Sequence, residues 1–279
     1  MIIILNNTTN LLNKTKTDES EQNMFPRLPA RPLRDIIYQK IQKHPLQSTL
    51  FDPENDLQIL AHKAELAVEQ GTDILLIGGS SHVQPIKFFE SIAAIKAVSK
   101  DVPVIIYNAN FEMISNDADG ILYGSVLNSK DMYYVINNSA NAAPLFKKLN
   151  VEPLATAFLI FEPGMTVGYV LNCHLLPQNN LKIPAAYSLT AENLGYSFVY
   201  LEAGSKAPYT VSPDVIKAVR STINIPIIVG GGVVSEDKAR EVVEAGADIV
   251  VIGTHFENVE DMSNIIDVIH STKRFKPEK

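Results

Sequence analysis

Glycine and small polar residues follow three apolar runs in the second half of the chain. The runs end in Glu202-Ala203-Gly204-Ser205, in Gly230-Gly231-Gly232 and in Gly253-Thr254. A short apolar run bounded by glycine is typical of a strand buried on both faces. Glycine at the carboxyl end of such a strand lets backbone N–H groups approach an anion. The three endings together predict a phosphate site, and the alternative is that the glycines only form tight turns.

Carboxylates and hydroxyls follow other predicted strands. Asp52 follows the first and Ser80 follows the second, an oxygen pair suited to Mg²⁺, which takes few protein ligands and fills its shell with water and phosphate. Asp52 before a proline is equally typical of a turn. Glu202 would repel phosphate, so we expect it to accept hydrogen bonds from substrate hydroxyls with Tyr200 beside it. The alternative role for Glu202 is a salt bridge at the rim.

The spacing of the histidines in the sequence does not indicate a metal site. They are scattered along the chain and no pair has a spacing typical of zinc ligands, so most are expected at the surface. They are His44, His62, His82, His174, His255 and His270.

Eight apolar runs alternate with helical patterns, which predicts a parallel sheet. In an eight-stranded α/β barrel, the loops after strands 7 and 8 form a phosphate site, in agreement with the glycine endings. The alternative is an open doubly wound sheet, but no Gly-x-Gly-x-x-Gly motif follows the first strand. The predicted strands are Ser48–Phe51, Asp73–Ile77, Val102–Tyr107, Ala118–Tyr123, Thr156–Phe161, Ser197–Leu201, Ile225–Val229 and Ile249–Ile252.

Three connections depart from a regular barrel. About ten residues, Asn108 to Asp117, link the third and fourth strands, which is too short for a crossover with a helix. Asp131 to Lys148 is predicted as one long helix. The segment from Met165 to Gly195 is predicted as a long loop followed by a helix at Ala185 to Leu194, and a loop of that length is often functional.

Composition narrows the class of protein. The chain has 279 residues, 46% hydrophobic and 20% charged, as expected of a globular protein. A net charge of −7 argues against binding nucleic acid through a basic face. The single cysteine, Cys173, excludes an internal disulfide, and no apolar run approaches the roughly 20 residues of a membrane helix. We expect a cytoplasmic protein with one barrel domain over residues 31–279, preceded by a disordered tail over residues 1–30.

Several motifs resemble the geranylgeranylglyceryl phosphate synthase family, over about four-fifths of the chain from Thr49 onwards. The run Tyr200-Leu201-Glu202-Ala203-Gly204-Ser205, together with Glu162-Pro163-Gly164, is specific to that family. The other similar motifs are Thr49–Pro53, Gly71–Asp73, Ile77–Ser80, Leu127–Ser129, Met165–Val170, Gly230–Gly232 and Gly253-Thr254.

The resemblance implies a modified (β/α)₈ TIM barrel whose third helix is absent, in agreement with the short link. It implies transfer of a geranylgeranyl group from geranylgeranyl diphosphate to the 3-hydroxyl of sn-glycerol 1-phosphate with Mg²⁺, the first ether bond of archaeal membrane lipids. A homo-oligomer and transient contact with a membrane surface are further expectations.

The family's site positions carry over by motif. Asp52 and Ser80 match the metal positions, and Glu202 and Tyr200 are the candidate catalytic residues. The glycerol phosphate positions are Tyr200, Leu201, Glu202, Ala203, Gly204, Ser205, Lys206, Gly230, Gly231, Gly232, Gly253 and Thr254. This chain departs from many relatives at Lys206, where they have Gly, and at Asn55, where they have Lys. Lys206 would add a charge-assisted contact to phosphate.

Two other functions are compatible with a phosphate-binding barrel. An isomerase or aldolase would need a general acid/base pair or a Schiff-base lysine at a strand end, and no lysine occupies one. A non-catalytic phospholigand-binding barrel would show no turnover. An assay with glycerol phosphate and prenyl diphosphate distinguishes both from the synthase.

Overall fold

Eight parallel strands close into a barrel in sequence order, with β1 paired to β8. The computed structural model describes residues 32–79, 83–107, 113–149, 151–253 and 261–277. The barrel confirms the predicted fold class and excludes the open sheet. The strands are β1 (Leu46–Phe51), β2 (Ile74–Gly78), β3 (Val104–Tyr107), β4 (Gly120–Val126), β5 (Glu152–Ile160), β6 (Phe198–Glu202), β7 (Ile227–Gly230) and β8 (Ile249–Ile252).

Helices surround the barrel and cover its amino-terminal end. They are α1 (Pro32–Lys43), α2 (Leu57–Glu69), α3 (Pro85–Val98), α4 (Asn138–Ala142), α5 (Met165–Val170), α6 (Lys182–Asn193), α7 (Pro213–Arg220), α8 (Glu236–Glu244) and α9 (Ser263–Ser271). Among the described residues, none of these helices is long and apolar enough to cross a membrane. The predicted tail falls in residues 1–31, outside the described ranges, and stays a prediction.

Alternation along the strands divides the core into two layers. Leu76, Phe158 and Tyr200 belong to the layer inside the barrel, whereas Val199 and Leu201 belong to the layer between barrel and helices. This is the period of two expected of strands covered on both faces. The inner layer is continued by Leu33, Ile37 and Ile41 of α1, so the first helix closes the amino-terminal end of the barrel.

The link between β3 and β4 has no helix in its described part, residues 113–119. The remainder, residues 108–112, lies outside the described ranges. Asp119, at the end of the link, joins it to β3 and α3. Its carboxylate accepts hydrogen bonds from Val104 N–H at 2.8 Å and from Lys96 Nζ at 2.7 Å. The short link therefore agrees with the prediction that no helix connects β3 to β4.

The single long helix predicted at Asp131 to Lys148 is wrong. The segment contains a π-helical turn at Tyr133–Asn137, then α4, then a 3₁₀ turn at Leu145–Lys147. Asn137-Asn138 and Pro144 explain the breaks, because asparagine and proline weaken a continuous helix. The segment is held to β4 by Tyr123, whose hydroxyl donates to Ser139 O at 2.6 Å.

The loop predicted after Glu162 begins instead with the helix α5, Met165–Val170. A helix of six residues is too short for its periodicity to be recognised in the sequence. The helix predicted at Ala185 to Leu194 is present as α6 and begins at Lys182.

Candidate active site

Glu202 is the last residue of β6, and it points into the barrel at the carboxyl-terminal mouth. The residue is only 5% exposed. Its Oε1 accepts the Gly204 N–H at 2.6 Å, and its Oε2 accepts the Tyr107 hydroxyl at 3.3 Å. Burial raises the pKa of the Glu202 carboxyl, and the hydrogen bonds from Gly204 N–H and Tyr107 oppose that shift. The site thus holds a buried carboxylate with few protein donors.

Tyr200 lies two residues earlier on the same inner face, as the alternation predicts, and is completely buried. Its ring stacks on that of Tyr107, with centroids 5.3 Å apart and planes 3° apart. Within the described residues its hydroxyl has no hydrogen bond of good geometry. Burial, then Tyr107 and Glu202, raise the pKa of Tyr200 well above its usual value. A buried hydroxyl without a partner needs water or a ligand.

Tyr107 also belongs to the site, although the sequence identified it only as the last residue of the third predicted strand. It is the last residue of β3, three strands away from Glu202 in the order of the barrel. Burial, followed by the Glu202 charge, raises the pKa of Tyr107 well above its usual value. It therefore acts as a neutral hydrogen-bond donor to Glu202.

The glycines at the ends of β6 and β7 are required by close packing around this carboxylate. A Cβ on Gly231 would lie 2.6 Å from Glu202 Oε1, and one on Gly204 would lie 2.7 Å from Met165 Cβ. Both have positive φ, +81° and +103°. Among the described residues, the amides of Gly231 and Gly232 have no acceptor, so they remain available to an anion at the mouth.

The other predicted phosphate positions have different surroundings. Leu201 packs between barrel and helices, so only its backbone faces the mouth, whereas Ser205 and Lys206 are exposed. Lys206 has φ +61°, a conformation that glycine adopts more easily. Gly253 follows β8 and approaches Leu50. Thr254 lies outside the described residues.

Asp52 follows β1 beside the end of β2, where the sequence predicts the metal. Its Oδ1 accepts the Glu54 N–H at 2.9 Å, as in a turn. A Cβ on Gly79 would lie 3.5 Å from its Oδ2, so the carboxylate faces the glycine that precedes Ser80. Ser80 itself lies outside the described residues. Asn55 is part of this turn, since its side chain donates to Asp52 O at 3.2 Å.

Helix α5 is joined to the end of β6. Phe161 N–H donates to Glu202 O at 2.8 Å, and Gly164 N–H donates to Ala203 O at 3.2 Å. The helix exposes three apolar side chains beside the glycine loop: Met165, Tyr169 and Val170. Tyr169 is 89% exposed, which makes α5 an apolar surface at the edge of the mouth.

Comparison with known proteins places these features in a family. The model of the PcrB family matches residues 38–273. Geranylgeranylglyceryl phosphate synthase of Sulfolobus acidocaldarius is 41% identical over 233 residues, 82% of this chain and 90% of the relative. The synthase of Thermococcus sibiricus is 36% identical over 88% of this chain and 98% of its own length.

A solved structure agrees with these sequence relatives. The crystal structure of (S)-3-O-geranylgeranylglyceryl phosphate synthase from Thermoplasma acidophilum, in complex with the substrate sn-glycerol-1-phosphate, has a TM-score of 0.83 at 36% identity. It covers 86% of this chain and 99% of its own. Thiamine phosphate pyrophosphorylase from Pyrococcus furiosus, with a TM-score of 0.54 and 17% identity, shares the fold alone.

Proposed function

Because this chain belongs to the PcrB family, we propose that it transfers a geranylgeranyl group from geranylgeranyl diphosphate to the 3-hydroxyl of sn-glycerol 1-phosphate. The observation that carries this proposal is the pair formed by the buried Glu202 carboxylate and the free amides of Gly231 and Gly232. A ligand with hydroxyls at one end and phosphate at the other matches both. The substrate named in the Thermoplasma acidophilum complex has that chemistry.

Phosphate binds at the glycine ends of β7 and β8 in this proposal. The amides of Gly231 and Gly232 donate to phosphate oxygens, and exposed Lys206 adds a charge-assisted contact that many relatives lack. Phosphate bound there lies beside the Gly204 loop, which places the glycerol hydroxyls over Glu202. The unpartnered Tyr200 hydroxyl hydrogen-bonds to the glycerol.

The Glu202 carboxylate orients the attacking 3-hydroxyl and accepts its proton. Since burial raises its pKa, Glu202 is a stronger base than an exposed carboxylate. The glycerol oxygen forms the new bond to C1 of the prenyl group, while the bond from C1 to the diphosphate oxygen breaks with its electron pair. Tyr107 holds the second oxygen of Glu202 and so fixes the base.

Asp52 and Ser80 would hold Mg²⁺, which supplies charge neutralisation for the diphosphate leaving group. An oxygen-only donor set fits this ion, and the Asp52 carboxylate at the end of β1 provides oxygen ligands.

The isoprenoid tail needs a long apolar surface, since each CH₂ removed from water contributes about 0.8 kcal/mol. Helix α5, with Met165, Tyr169 and Val170, provides part of that surface.

The proposal is tested by turnover of both substrates with wild type and Glu202→Gln. Loss of a charge-assisted hydrogen bond costs about 1.5–3 kcal/mol, so kcat/KM for glycerol phosphate should fall roughly 10- to 100-fold. The KM for the prenyl diphosphate should stay unchanged. Glu65→Gln, an exposed residue of α2, is the control. Absence of turnover in wild type would overturn the function, and equal losses towards both substrates would overturn the role of Glu202.

A further inference from the structure

Three potential metal ligands converge at the amino-terminal end of the barrel, away from the mouth. His44 follows α1, Asp73 precedes β2, and His270 lies in the last turn of α9. One ligand atom from each lies within 4.8 Å of the other two. His270 Nε2 is 2.8 Å from Asp73 Oδ2, and the two imidazole centroids are 4.6 Å apart. We propose that these residues bind a divalent transition-metal ion such as Zn²⁺.

Backbone contacts already orient two of the ligands. His44 Nδ1 lies 2.8 Å from Pro45 O, so the ring donates from Nδ1 and keeps the Nε2 lone pair for a ligand. Asp73 Oδ2 accepts the Gln47 N–H at 3.1 Å. Hydrogen bonds of this kind fix the tautomer and orientation of metal ligands in known sites.

The local field favours a cation. Helices α1 and α9 both direct their carboxyl-terminal ends at the cluster, and the partial negative charge there attracts positive charge. The Asp73 side chain is only 9% exposed, which limits screening by water. Lys40 is the competing cation: its Nζ is 3.7 Å from Asp73 Oδ1, but its side chain is 38% exposed. It can move into solvent when Oδ2 binds a metal.

The donor set selects the kind of ion. Two imidazoles and one carboxylate are ligands that Zn²⁺ accepts in tetrahedral sites at about 2.0–2.2 Å, with water in the fourth position. Mg²⁺ and Ca²⁺ prefer oxygen ligands throughout, so this cluster is chemically distinct from Asp52 at the mouth. A bound ion would connect α9 to the starts of β1 and β2.

Zinc titration of the full chain, by competition with a chromophoric chelator and in excess Mg²⁺, tests the site. Wild type should bind one Zn²⁺ tightly. His44→Asn and His270→Asn should each weaken binding at least about tenfold, whereas His62→Asn, an exposed histidine of α2, should not. Asp52→Ala should also keep the tight site, because the mouth is not involved.

Two further measurements remain informative if a histidine variant folds poorly. Zn²⁺ should raise the Tm of wild type reversibly with EDTA, and Co²⁺ should give the visible absorption of a tetrahedral site. Wild type without tight Zn²⁺ binding would overturn the proposal. Unchanged affinity in both histidine variants, or loss of the site in Asp52→Ala, would do the same.

Discussion

The role proposed for Glu202 needs a charged carboxylate, whereas its buried surroundings disfavour the charge. Burial raises the pKa of its carboxyl above the ordinary value near 4.5. Between the unfolded and the folded pKa, the folded state binds more protons than the unfolded state, so this residue lowers stability as pH rises through that window. Above the folded pKa, the full destabilisation caused by the buried charge remains.

We therefore expect Glu202→Gln to unfold at a higher denaturant concentration than wild type at neutral pH. Glutamine keeps the acceptor for Gly204 N–H and can donate to the Tyr107 hydroxyl, without a buried charge. The gain should vanish below about pH 4.5, where the wild-type carboxyl is protonated in both states. Guanidinium unfolding at pH 7 and pH 4 without substrate measures this. A less stable variant at pH 7, or an equal gain at both values, would contradict the interpretation.

The glycine at position 231 can be tested against a matched glycine elsewhere. Gly231 and Gly195 have similar φ, +81° and +86°, but a Cβ on Gly231 meets Glu202 Oε1 while one on Gly195 meets nothing within 4 Å. Gly195→Ala should cost only the backbone strain, about 1–2 kcal/mol. Gly231→Ala should cost more and also raise the KM for glycerol phosphate.

Thermal unfolding measures the loss of stability in Gly195→Ala and Gly231→Ala, and steady-state kinetics measure their KM for glycerol phosphate. Similar losses of stability with unchanged KM would mean that the glycine ending of β7 only forms a turn.

At the scale of elements, Asn128 connects β4, β5 and the segment that follows α5. Its Nδ2 donates to Ile160 O at 2.8 Å and to His174 O at 2.9 Å, and its Oδ1 accepts the Ile160 N–H at 3.0 Å. The residue is 3% exposed. These bonds explain the position of asparagine in the motif Leu127-Asn128-Ser129.

We expect Asn128→Ala to lower the free energy of unfolding by about 1–3 kcal/mol, because it leaves the N–H of buried Ile160 without its acceptor. Hydrogen exchange should rise most in residues 160–176. The control is Asn193→Ala at the end of α6, where the same side-chain amide is exposed to solvent. Equal effects of the two substitutions would show that Asn128 does not hold this segment.

Elements with a strong local sequence pattern were predicted correctly, and elements with a weak one were missed. Apolar runs alternating with helical patterns predicted all eight strands, and alternation placed Tyr200 and Glu202 on one inner face. The break at Asn137-Asn138 and the short helix α5 were missed because tertiary contacts and length outweighed the local pattern. Tyr107 was missed as a partner of Glu202, since β3 and β6 are separated by 95 positions at this contact. Contact across a barrel is set by closure, which no local period encodes.

At the scale of the whole molecule, Asp248 links the strands to the end of the chain. Its Oδ2 accepts Ile227 N–H at 2.8 Å and Arg220 Nη1 at 2.9 Å, and its Oδ1 pairs with Arg274. Arg274 also donates to Ile41 O. The three charged side chains are 8–12% exposed, and burial lowers the pKa of Arg220. One carboxylate thus compensates two nearly buried guanidinium groups where β7, β8 and α1 meet.

Asp248→Asn should lower the free energy of unfolding by about 3–5 kcal/mol, since it leaves two buried positive charges without their counter-ion. The comparison variant is Glu241→Gln, which breaks the exposed pair with Lys238 at 2.7 Å, where both side chains are nearly half exposed. An exposed pair of this kind contributes at most about 1 kcal/mol. Denaturant unfolding of both variants with unchanged m-values measures the difference. Losses of similar size would show that Asp248 is screened by water and that barrel closure rests on the apolar layers alone.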